Sequence, residues 1–333
     1  MHMNFPDDLQ KIELHCHMQG ILGPEILRTV RAEGHVVLVD PEQLVTLLPI
    51  RDLQGFQDWL KMTRPYQQQA LNHWLPVLER FIPRLIRQKV IYAEWMISPT
   101  LFPASIDALV TTLAAFREWL TRQEGGQIQI ELLLSIPRSI SDEALRREMP
   151  AYLELWRLGL IAGIALVGIE DDSSFQRFAG PFRILKDAGL GIEIHAGEHS
   201  GPEPVREVLQ YGLADRIGHG IGIFRDPSLV ERVFKEKVHL EFCLTSNLRT
   251  GSVPRLEQHP IRIAMEQSLH FSLNTDDPGL FECDLNGEYR LAATLWGFAE
   301  SEFHRIYRNA LEARFQQKWR YPSLQSSTTP EWG

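Results

Sequence analysis

The sequence predicts a single domain with the fold of a (β/α)8 barrel, and two patterns support this prediction. Short apolar runs alternate with longer segments of helical period along the 333 residues, which is typical of repeated βα units around a parallel sheet. Eight strands with crossover helices close as a barrel. The eight apolar runs span residues 12–18, 90–97, 128–136, 161–169, 191–195, 216–220, 238–243 and 270–275.

The segments between the runs have the period of amphipathic helices. Trp74, Leu78 and Phe81, for example, share one face of the segment before the second run. A doubly wound open sheet is the alternative fold, but it normally has a glycine-rich phosphate-binding turn after its first strand. The residues 15–17 of this chain read H-C-H at that position, which favours the barrel.

No linker or internal repeat divides the chain, so we expect one domain over residues 1–333. Residues 1–10 should form an N-terminal arm, and residues 323–333 should form a frayed polar tail. The longest insertion, residues 19–89, contains Phe56 and Trp59. These two side chains are predicted to belong to a lid over the top of the barrel and to contact substrate. The alternative is that both are the buried face of a helix.

The composition excludes several classes of function. The formal net charge is −9 and no basic cluster is present, which argues against a nucleic-acid surface. The longest uncharged apolar run, residues 158–169, is shorter than the roughly 20 residues of a membrane-spanning helix. The first ten residues lack the apolar core of a signal peptide, and the three cysteines form no C-x-x-C pair. We therefore expect a cytoplasmic protein that acts on a small molecule, and the sequence makes no prediction about oligomeric state.

Metal-binding side chains stand where four of the runs end. His15 and His17 end the first run, His195 the fifth, His219 the sixth and Asp276 the eighth. Because the carboxyl ends of barrel strands meet at one rim, these side chains should converge. Three imidazoles and one carboxylate around an open position are typical of catalytic zinc. We therefore predict one Zn²⁺ per chain, held by His15, His17, His195 and Asp276.

Two further carboxylates beside these residues suit acid–base chemistry. Glu198 lies three residues after His195 and is not needed as a ligand, so it is free to carry protons. A zinc-bound water ionises near pH 7 and would supply hydroxide. Asp276 and Asp277 should point to opposite sides of an extended chain. One of the two would then bind metal while the other contacts substrate.

Other zinc chemistries compete for the same residues. Residues 195–199 match the H-x-x-E-H pattern of a zinc peptidase, but that pattern requires a helix, and here Gly197 and a predicted strand interrupt it. Deaminases of the H-x-E and P-C-x-x-C type need a C-x-x-C pair that this chain lacks. A closed structural zinc site would have no use for Glu198.

Ordered motifs between about residues 11 and 290 resemble the adenosine deaminase family of metal-dependent barrel hydrolases. They are E-L-H-C-H from residue 13, H-A-G-E from 195, R-I-G-H-G from 216, C-L-T-S-N from 243, H-P from 259 and N-T-D-D-P from 274. The resemblance implies hydrolytic deamination at C6 of an adenosine-type purine nucleoside, with release of ammonia. It also implies that Glu198 protonates the purine N1, that His219 orients or deprotonates the metal-bound water and that Asp277 hydrogen-bonds N7.

The chain departs from the family at positions that set specificity. Members that act on adenosine carry an aspartate two residues after the second histidine, where it contacts the ribose 5′-hydroxyl, whereas this chain has Gln19. A neutral amide repels an anionic 5′ group less and can donate to it. The backbone donor to N3 would fall near Ser173. The alternatives are therefore a 5′-modified nucleoside such as aminodeoxyfutalosine, a nucleotide, free adenine, or a silent nucleoside-binding relative.

Overall fold

A computed structural model describes residues 5–67, 71–101, 105–170, 174–316, 318 and 320–326. Within these ranges eight parallel strands form one sheet in sequence order. Each predicted run overlaps one of the strands, so the prediction of a (β/α)8 barrel is confirmed. The strands are β1 (Lys11–His17), β2 (Val90–Ile97), β3 (Gln129–Pro137), β4 (Gly163–Val167), β5 (Gly191–Ala196), β6 (Arg216–His219), β7 (His239–Phe242) and β8 (Phe271–Leu273).

The ring of strands closes between β8 and β1 mainly through residues that follow β8. The Asp276 N–H donates to the His15 carbonyl at 2.9 Å, and the His17 N–H donates to the Asp276 carbonyl at 2.8 Å. The Leu14 N–H donates to the side-chain oxygen of Asn274 at 2.9 Å. A side-chain amide thus supplements the backbone pairing, which is why β8 is shorter than the apolar run that predicts it.

Helices connect the strands and follow the last one. Several begin at a serine or aspartate cap: the side chains of Ser105, Ser141 and Asp284 each accept from the backbone N–H three residues later. In the described ranges, no helix combines the length and the apolar character that crossing a membrane requires. The helices are α1 (Pro24–Ala32), α2 (Pro41–Val45), α3 (Leu53–Met62), α4 (Arg64–Gln67), α5 (Leu75–Arg87), α6 (Ile106–Glu124), α7 (Asp142–Arg157), α8 (Gln176–Asp187), α9 (Glu203–Tyr211), α10 (Pro227–Glu236), α11 (Leu244–Arg249), α12 (Ile261–Glu266), α13 (Leu285–Trp296), α14 (Glu300–Ala313) and α15 (Pro322–Ser326), with short 3₁₀ helices at Met18–Ile21, Leu71–His73, Pro99–Leu101, Ile221–Arg225 and Leu256–Gln258.

The two ends of the described chain pack against the barrel. The ring of Phe5 makes an edge contact with Phe303 of α14 at a centroid distance of 5.5 Å. At the other end, Leu324 of α15 is buried in a small apolar cluster with residues of β1 and β2. The segment expected to fray therefore begins as a helix, and residues 1–4 and 327–333 lie outside the described ranges.

The amino-terminal end of the barrel is filled by one aromatic side chain. A Cβ atom on Gly191 would lie 2.2 Å from the ring of Phe315, so the absence of a side chain there makes room for that ring. The guanidinium of Arg216 lies over the same ring, 3.6 Å from its centroid. The floor is thus closed, and access to the interior of the barrel is left to the opposite rim.

Candidate active site

The side chains that the sequence places at the strand ends lie together at the carboxyl rim of the barrel. The Nε2 atoms of His15 and His17 are 3.4 and 3.3 Å from Asp276 Oδ1. The Nε2 atoms of His17 and His195 are 3.1 Å apart. Ligand atoms of His15, His195, His219 and Asp276 all lie within 4.8 Å of one another. This buried group of nitrogen and oxygen atoms suits a divalent metal ion.

Unusual backbone conformations aim two of these side chains into the site. His219 has φ of 60° and Asp276 has φ of 63°, a left-handed region that residues other than glycine seldom adopt and that costs free energy. His219 is the last residue of β6, and Asp276 lies three residues after the end of β8. The sharp change of direction turns the imidazole and the carboxylate towards the other ligand atoms, so the strain lies where the chemistry is predicted.

The charges of the site favour a cation at its centre. Burial, together with the neighbouring imidazoles, lowers the pKa of His17 and of His195 to about 3. Burial favours the neutral acid of Asp276, but the adjacent His15 outweighs this and keeps the pKa of Asp276 well below its usual value. Neutral His17 and His195 and an ionised Asp276 are the protonation states that bind metal. Burial opposes a charge on His15, but the neighbouring carboxylates of Asp276 and Glu241 raise its pKa well above the usual value, so His15 has to give up a proton when metal binds.

One ligand atom has no hydrogen-bond partner among the described residues. His15 Nε2 is buried and lacks such a partner, since Asp276 Oδ1 lies beyond normal hydrogen-bond distance. The other nitrogen of the same ring, Nδ1, is 2.6 Å from Glu241 Oε2. A buried polar atom without a partner is rare in proteins, and a metal ion coordinated by Nε2 would satisfy it. The residues present therefore fit a metal ion.

Two buried carboxylates that were not predicted from the sequence contact the Nδ1 atoms of two of these imidazoles. Glu241 of β7 contacts His15, and Glu193 of β5 lies with Oε1 2.9 Å from Nδ1 of His195. Such carboxylates fix the tautomer and the orientation of metal-binding histidines. Glu193 was detectable, because it lies two residues before His195 and so on the same face of the strand. Glu241 had no local signal.

Strand β6 lies between β5 and β7, and one of its residues is a glycine that leaves room for the two histidines and for Glu193. A Cβ atom on Gly218 of β6 would lie 2.3 Å from Glu193 Oε1, 2.9 Å from His15 Cε1 and 3.1 Å from His195 Nδ1. A larger residue at position 218 would therefore displace both imidazoles or their carboxylate.

Glu198 lies at the edge of the metal-binding group, as the sequence predicts. Its Oε2 is 3.6 Å from Nε2 of His219. Its Oε1 accepts hydrogen bonds from the hydroxyls of Thr250 at 3.3 Å and Ser252 at 3.4 Å. Burial opposes ionisation, but the adjacent His219 and the hydrogen bond with His199 lower the pKa of Glu198 to about 2. Glu198 is therefore a carboxylate in the free site.

The geometry does not support a zinc peptidase. The H-x-x-E-H segment begins on the strand β5 and continues through Gly197, whose φ is 72°, so it is not the helix that the peptidase pattern requires. His199 points its Nε2 at Glu198 Oε1, 3.3 Å away, and its Nδ1 at Ser252 Oγ, 3.0 Å away. His199 thus contacts the predicted acid.

Asp276 and Asp277 do not diverge as expected. The left-handed conformation of Asp276 breaks the alternation of an extended chain, and the two carboxyl groups interact. Burial and the adjacent Asp276 raise the pKa of Asp277 well above its usual value. This shift favours the neutral form of Asp277, which can donate a hydrogen bond. Gly20 packs against it, since a Cβ there would lie 1.9 Å from Asp277 Oδ1.

The other predicted substrate contacts have different surroundings. Gln19 is half-buried on the 3₁₀ helix that directly follows β1. Phe56 is half-buried and stacks on Phe281 at a centroid distance of 6.2 Å. Trp59 is fully buried in the hydrophobic core, where its side chain is part of the packing of α3. Ser173 lies outside the described residues.

The fold and the rim together define a class of protein, which is a barrel hydrolase with a divalent-metal site at the carboxyl ends of its strands. The model of the adenosine deaminase family matches residues 10–327. The chain therefore belongs to this family, and it is a hydrolytic deaminase that acts on adenine-type substrates.

Individual relatives cover nearly the whole chain. An adenine deaminase from Rhizobium meliloti is 33% identical over 317 residues, which are 92% of this chain and 94% of the relative. An adenosine deaminase from Shewanella loihica is 36% identical over 319 residues, covering 91% and 93%. The crystal structure of an adenine deaminase from Arthrobacter aurescens has a TM-score of 0.81 at 24% identity, covering 96% and 97%. The structural likeness shows the same fold.

Proposed function

We propose that the chain catalyses zinc-dependent hydrolytic deamination of the 6-amino group of an adenosine-type purine nucleoside. His15, His17, His195 and Asp276 would hold the zinc ion. The observation that carries this proposal is the buried group of imidazole and carboxylate ligand atoms, with Glu198 and His219 directly beside it. A metal site, an acid and a base in one buried cluster are what hydrolysis at an aromatic C–N bond requires.

Each side chain has a part in the reaction that its environment supports. When bound, the zinc ion would lower the pKa of a water molecule and so supply hydroxide near neutral pH. Burial lowers the pKa of His219, so its neutral imidazole can accept a proton from that water and pass it to the departing ammonia. Glu198 has to take up a proton from solvent as substrate binds and then donates it to N1, and it recovers a proton when the hydroxyl group added at C6 becomes the 6-oxo group. Asp277, as a neutral acid, donates a hydrogen bond to N7, which is an acceptor.

Free adenine is the second candidate substrate, and one residue favours it. Gln19 stands where the family resemblance implies an aspartate for the ribose 5′-hydroxyl, so one expected ribose contact is absent. The adenine deaminase of Rhizobium meliloti is also similar over almost the whole chain. A 5′-modified nucleoside or a nucleotide fits the same neutral side chain.

The proposal is tested by measuring ammonia release from adenosine, adenine, AMP and 5′-modified adenosines at equal concentrations. We expect the highest kcat/KM with adenosine or a 5′-modified adenosine and no activity after chelation, with recovery on adding Zn²⁺. Comparable kcat/KM values for adenosine and adenine would place the ribose outside the recognised part of the substrate. If chelated enzyme keeps its turnover, or no 6-aminopurine is deaminated by the zinc-loaded enzyme, the proposal is wrong.

A further inference from the structure

The short helix α11 contacts two of the predicted active-site residues through neighbouring side chains. Ser246 Oγ donates to Asp276 Oδ2 at 2.6 Å. Asn247 Nδ2 lies 3.2 Å from Nδ1 of His219. Both pairs are buried. The position of α11 therefore sets the orientation of the metal-site carboxylate and of the predicted base.

The carboxyl end of the same helix reaches the predicted acid. Thr250 follows α11 as its C-cap residue, and its Oγ1 donates to Glu198 Oε1 at 3.3 Å. The same hydroxyl lies 3.0 Å from the Ser246 carbonyl, so its one proton is shared between Glu198 and the helix itself. A displacement of α11 would thus alter the contacts of Asp276, His219 and Glu198 together.

The beginning of α11 is held by a carboxylate from another helix. Glu288 of α13 is fully buried. Its Oε2 accepts from the backbone N–H groups of Leu244 at 2.7 Å and of Thr245 at 3.2 Å, and its Oε1 accepts from the Thr245 hydroxyl. The first N–H groups of a helix have no partner within the helix, and the helix dipole favours a negative charge there.

The helix has no cap of its own at this end. Its N-cap residue, Cys243, makes no side-chain capping hydrogen bond. A helix of six residues is too short to be stable by itself, so its position depends on tertiary contacts. Glu288 supplies the contact that the local sequence does not.

We propose that Glu288 is a positioning residue for deamination, which acts by holding α11 so that Ser246 and Asn247 keep their contacts with Asp276 and His219. Glu288 touches neither the proposed metal ligands nor the proposed acid. The inference deepens the function proposed above and rests on it. If this inference holds, the catalytic rate depends on a carboxylate of α13 that lies outside the proposed active site.

The decisive comparison uses two buried carboxylates that both accept from the backbone. Glu288→Gln keeps the size of the side chain but replaces one acceptor oxygen with an NH₂ group that only donates. The matched control is Glu124→Gln. Glu124 is also fully buried, and its Oε1 accepts from the Ile130 N–H at 2.8 Å, but it lies at the end of α6 before β3, away from the rim. Both variants should lose thermal stability.

We expect Glu288→Gln to bind one zinc ion per chain and to lose about 10²-fold in kcat, because small misplacements of reacting groups have effects of this size. Its KM should stay within about twofold, since no substrate contact is removed. Glu124→Gln should keep the wild-type kcat. Thr245→Val, which removes only the hydroxyl donor, should lower kcat less but in the same direction.

A spectroscopic measurement separates this inference from the proposed function. In enzyme loaded with Co²⁺ in place of zinc, the visible absorption bands of Glu288→Gln should shift relative to wild type, because Ser246 orients Asp276, whereas those of Glu124→Gln should not. Failure of the wild-type enzyme to deaminate any purine would reject the proposed function, and the cobalt spectra would still decide the positioning role. A folded Glu288→Gln variant with unchanged spectrum and kcat, or an equal kcat loss in Glu124→Gln, would overturn the inference.

Discussion

Replacing Gly218 with alanine should disturb the metal site while leaving the barrel folded. The new Cβ would approach Glu193 Oε1 to 2.3 Å, and ordinary contacts begin near 3.4 Å. Glu193 would have to move by about 1 Å. Because Glu193 is 2.9 Å from Nδ1 of His195, the movement would be transmitted to that imidazole, and His15 Cε1 at 2.9 Å from the new atom would also be pushed.

The size of the effect follows from this displacement. Overpacking of a well-packed interior costs about 1–3 kcal/mol of stability, which a domain of this size can tolerate if its total stability is in the usual range of about 5–15 kcal/mol. A misplacement of about 1 Å can lower catalytic rates by about 10²-fold. We therefore expect Gly218→Ala to remain folded, to bind zinc more weakly and to lose about two orders of magnitude in kcat.

The measurements are a thermal melt, a zinc titration and steady-state ammonia release. The matched control is Gly180→Ala in helix α8, where an added Cβ would meet no atom within 4 Å outside the adjoining chain and the backbone of its own helix. If Gly218→Ala kept both the wild-type zinc affinity and the wild-type kcat, the reasoning would be refuted. The positions of the imidazoles would then not depend on the absence of a side chain at residue 218.

Three further predictions concern single residues. Glu198→Gln should keep its zinc and lose at least about 10²-fold in kcat, as expected for general acid catalysis; full turnover would remove Glu198 from that role. Gly180→Ala should raise the free energy of unfolding by about 0.5–1 kcal/mol, because alanine is favoured over glycine within a helix; a lowered melting temperature would contradict this. Burial raises the pKa of Glu288 from 4.5 to about 7, so the folded protein binds this proton more tightly than the unfolded chain does. The contribution of Glu288 to stability should therefore be greatest below about pH 4.5 and decline as the pH rises through about 7, by at most about 3 kcal/mol. The urea midpoint of the wild type, measured relative to that of Glu288→Gln, should decrease as the pH is raised from 4.5 to 8. Parallel pH profiles of the two proteins would exclude a raised pKa of Glu288.

The parts of the site that could be predicted from the sequence are those with a local signal. Four histidines lie within the last three residues of an apolar strand, and a barrel brings all its strand ends to one rim. They are His15, His17, His195 and His219. The barrel topology alone predicts that these four side chains lie close together, so no side-chain contact had to be known.

The parts that could not be predicted depend on pairs of residues far apart in sequence. Glu241 contacts His15 across 226 positions, and nothing near Glu241 in the sequence indicates that histidine. Asp276 adopts φ of 63°, so the alternation rule for extended chain fails at that residue. The helical period of the sequence likewise does not distinguish the burial of two aromatic residues of α3: Trp59 is buried in the core, whereas Phe56 is half-buried.

The buried charges beneath the site have a common electrostatic reason. An ionised Glu241 is costly in the interior of a barrel unless a cation compensates it, and Arg216 lies with Nε 2.5 Å from Glu241 Oε1. Burial opposes the ionisation of Glu241, but Arg216 and His15 hold its pKa below the usual value. As an ionised group, Glu241 accepts the proton on Nδ1 of His15, and this fixes the tautomer in which Nε2 is free to bind metal. Arg216 is in turn shared with Glu94, whose Oε2 is 2.5 Å from its Nη2. The charge of one arginine near the barrel floor thus favours the ionised Glu241 that accepts from Nδ1 of His15.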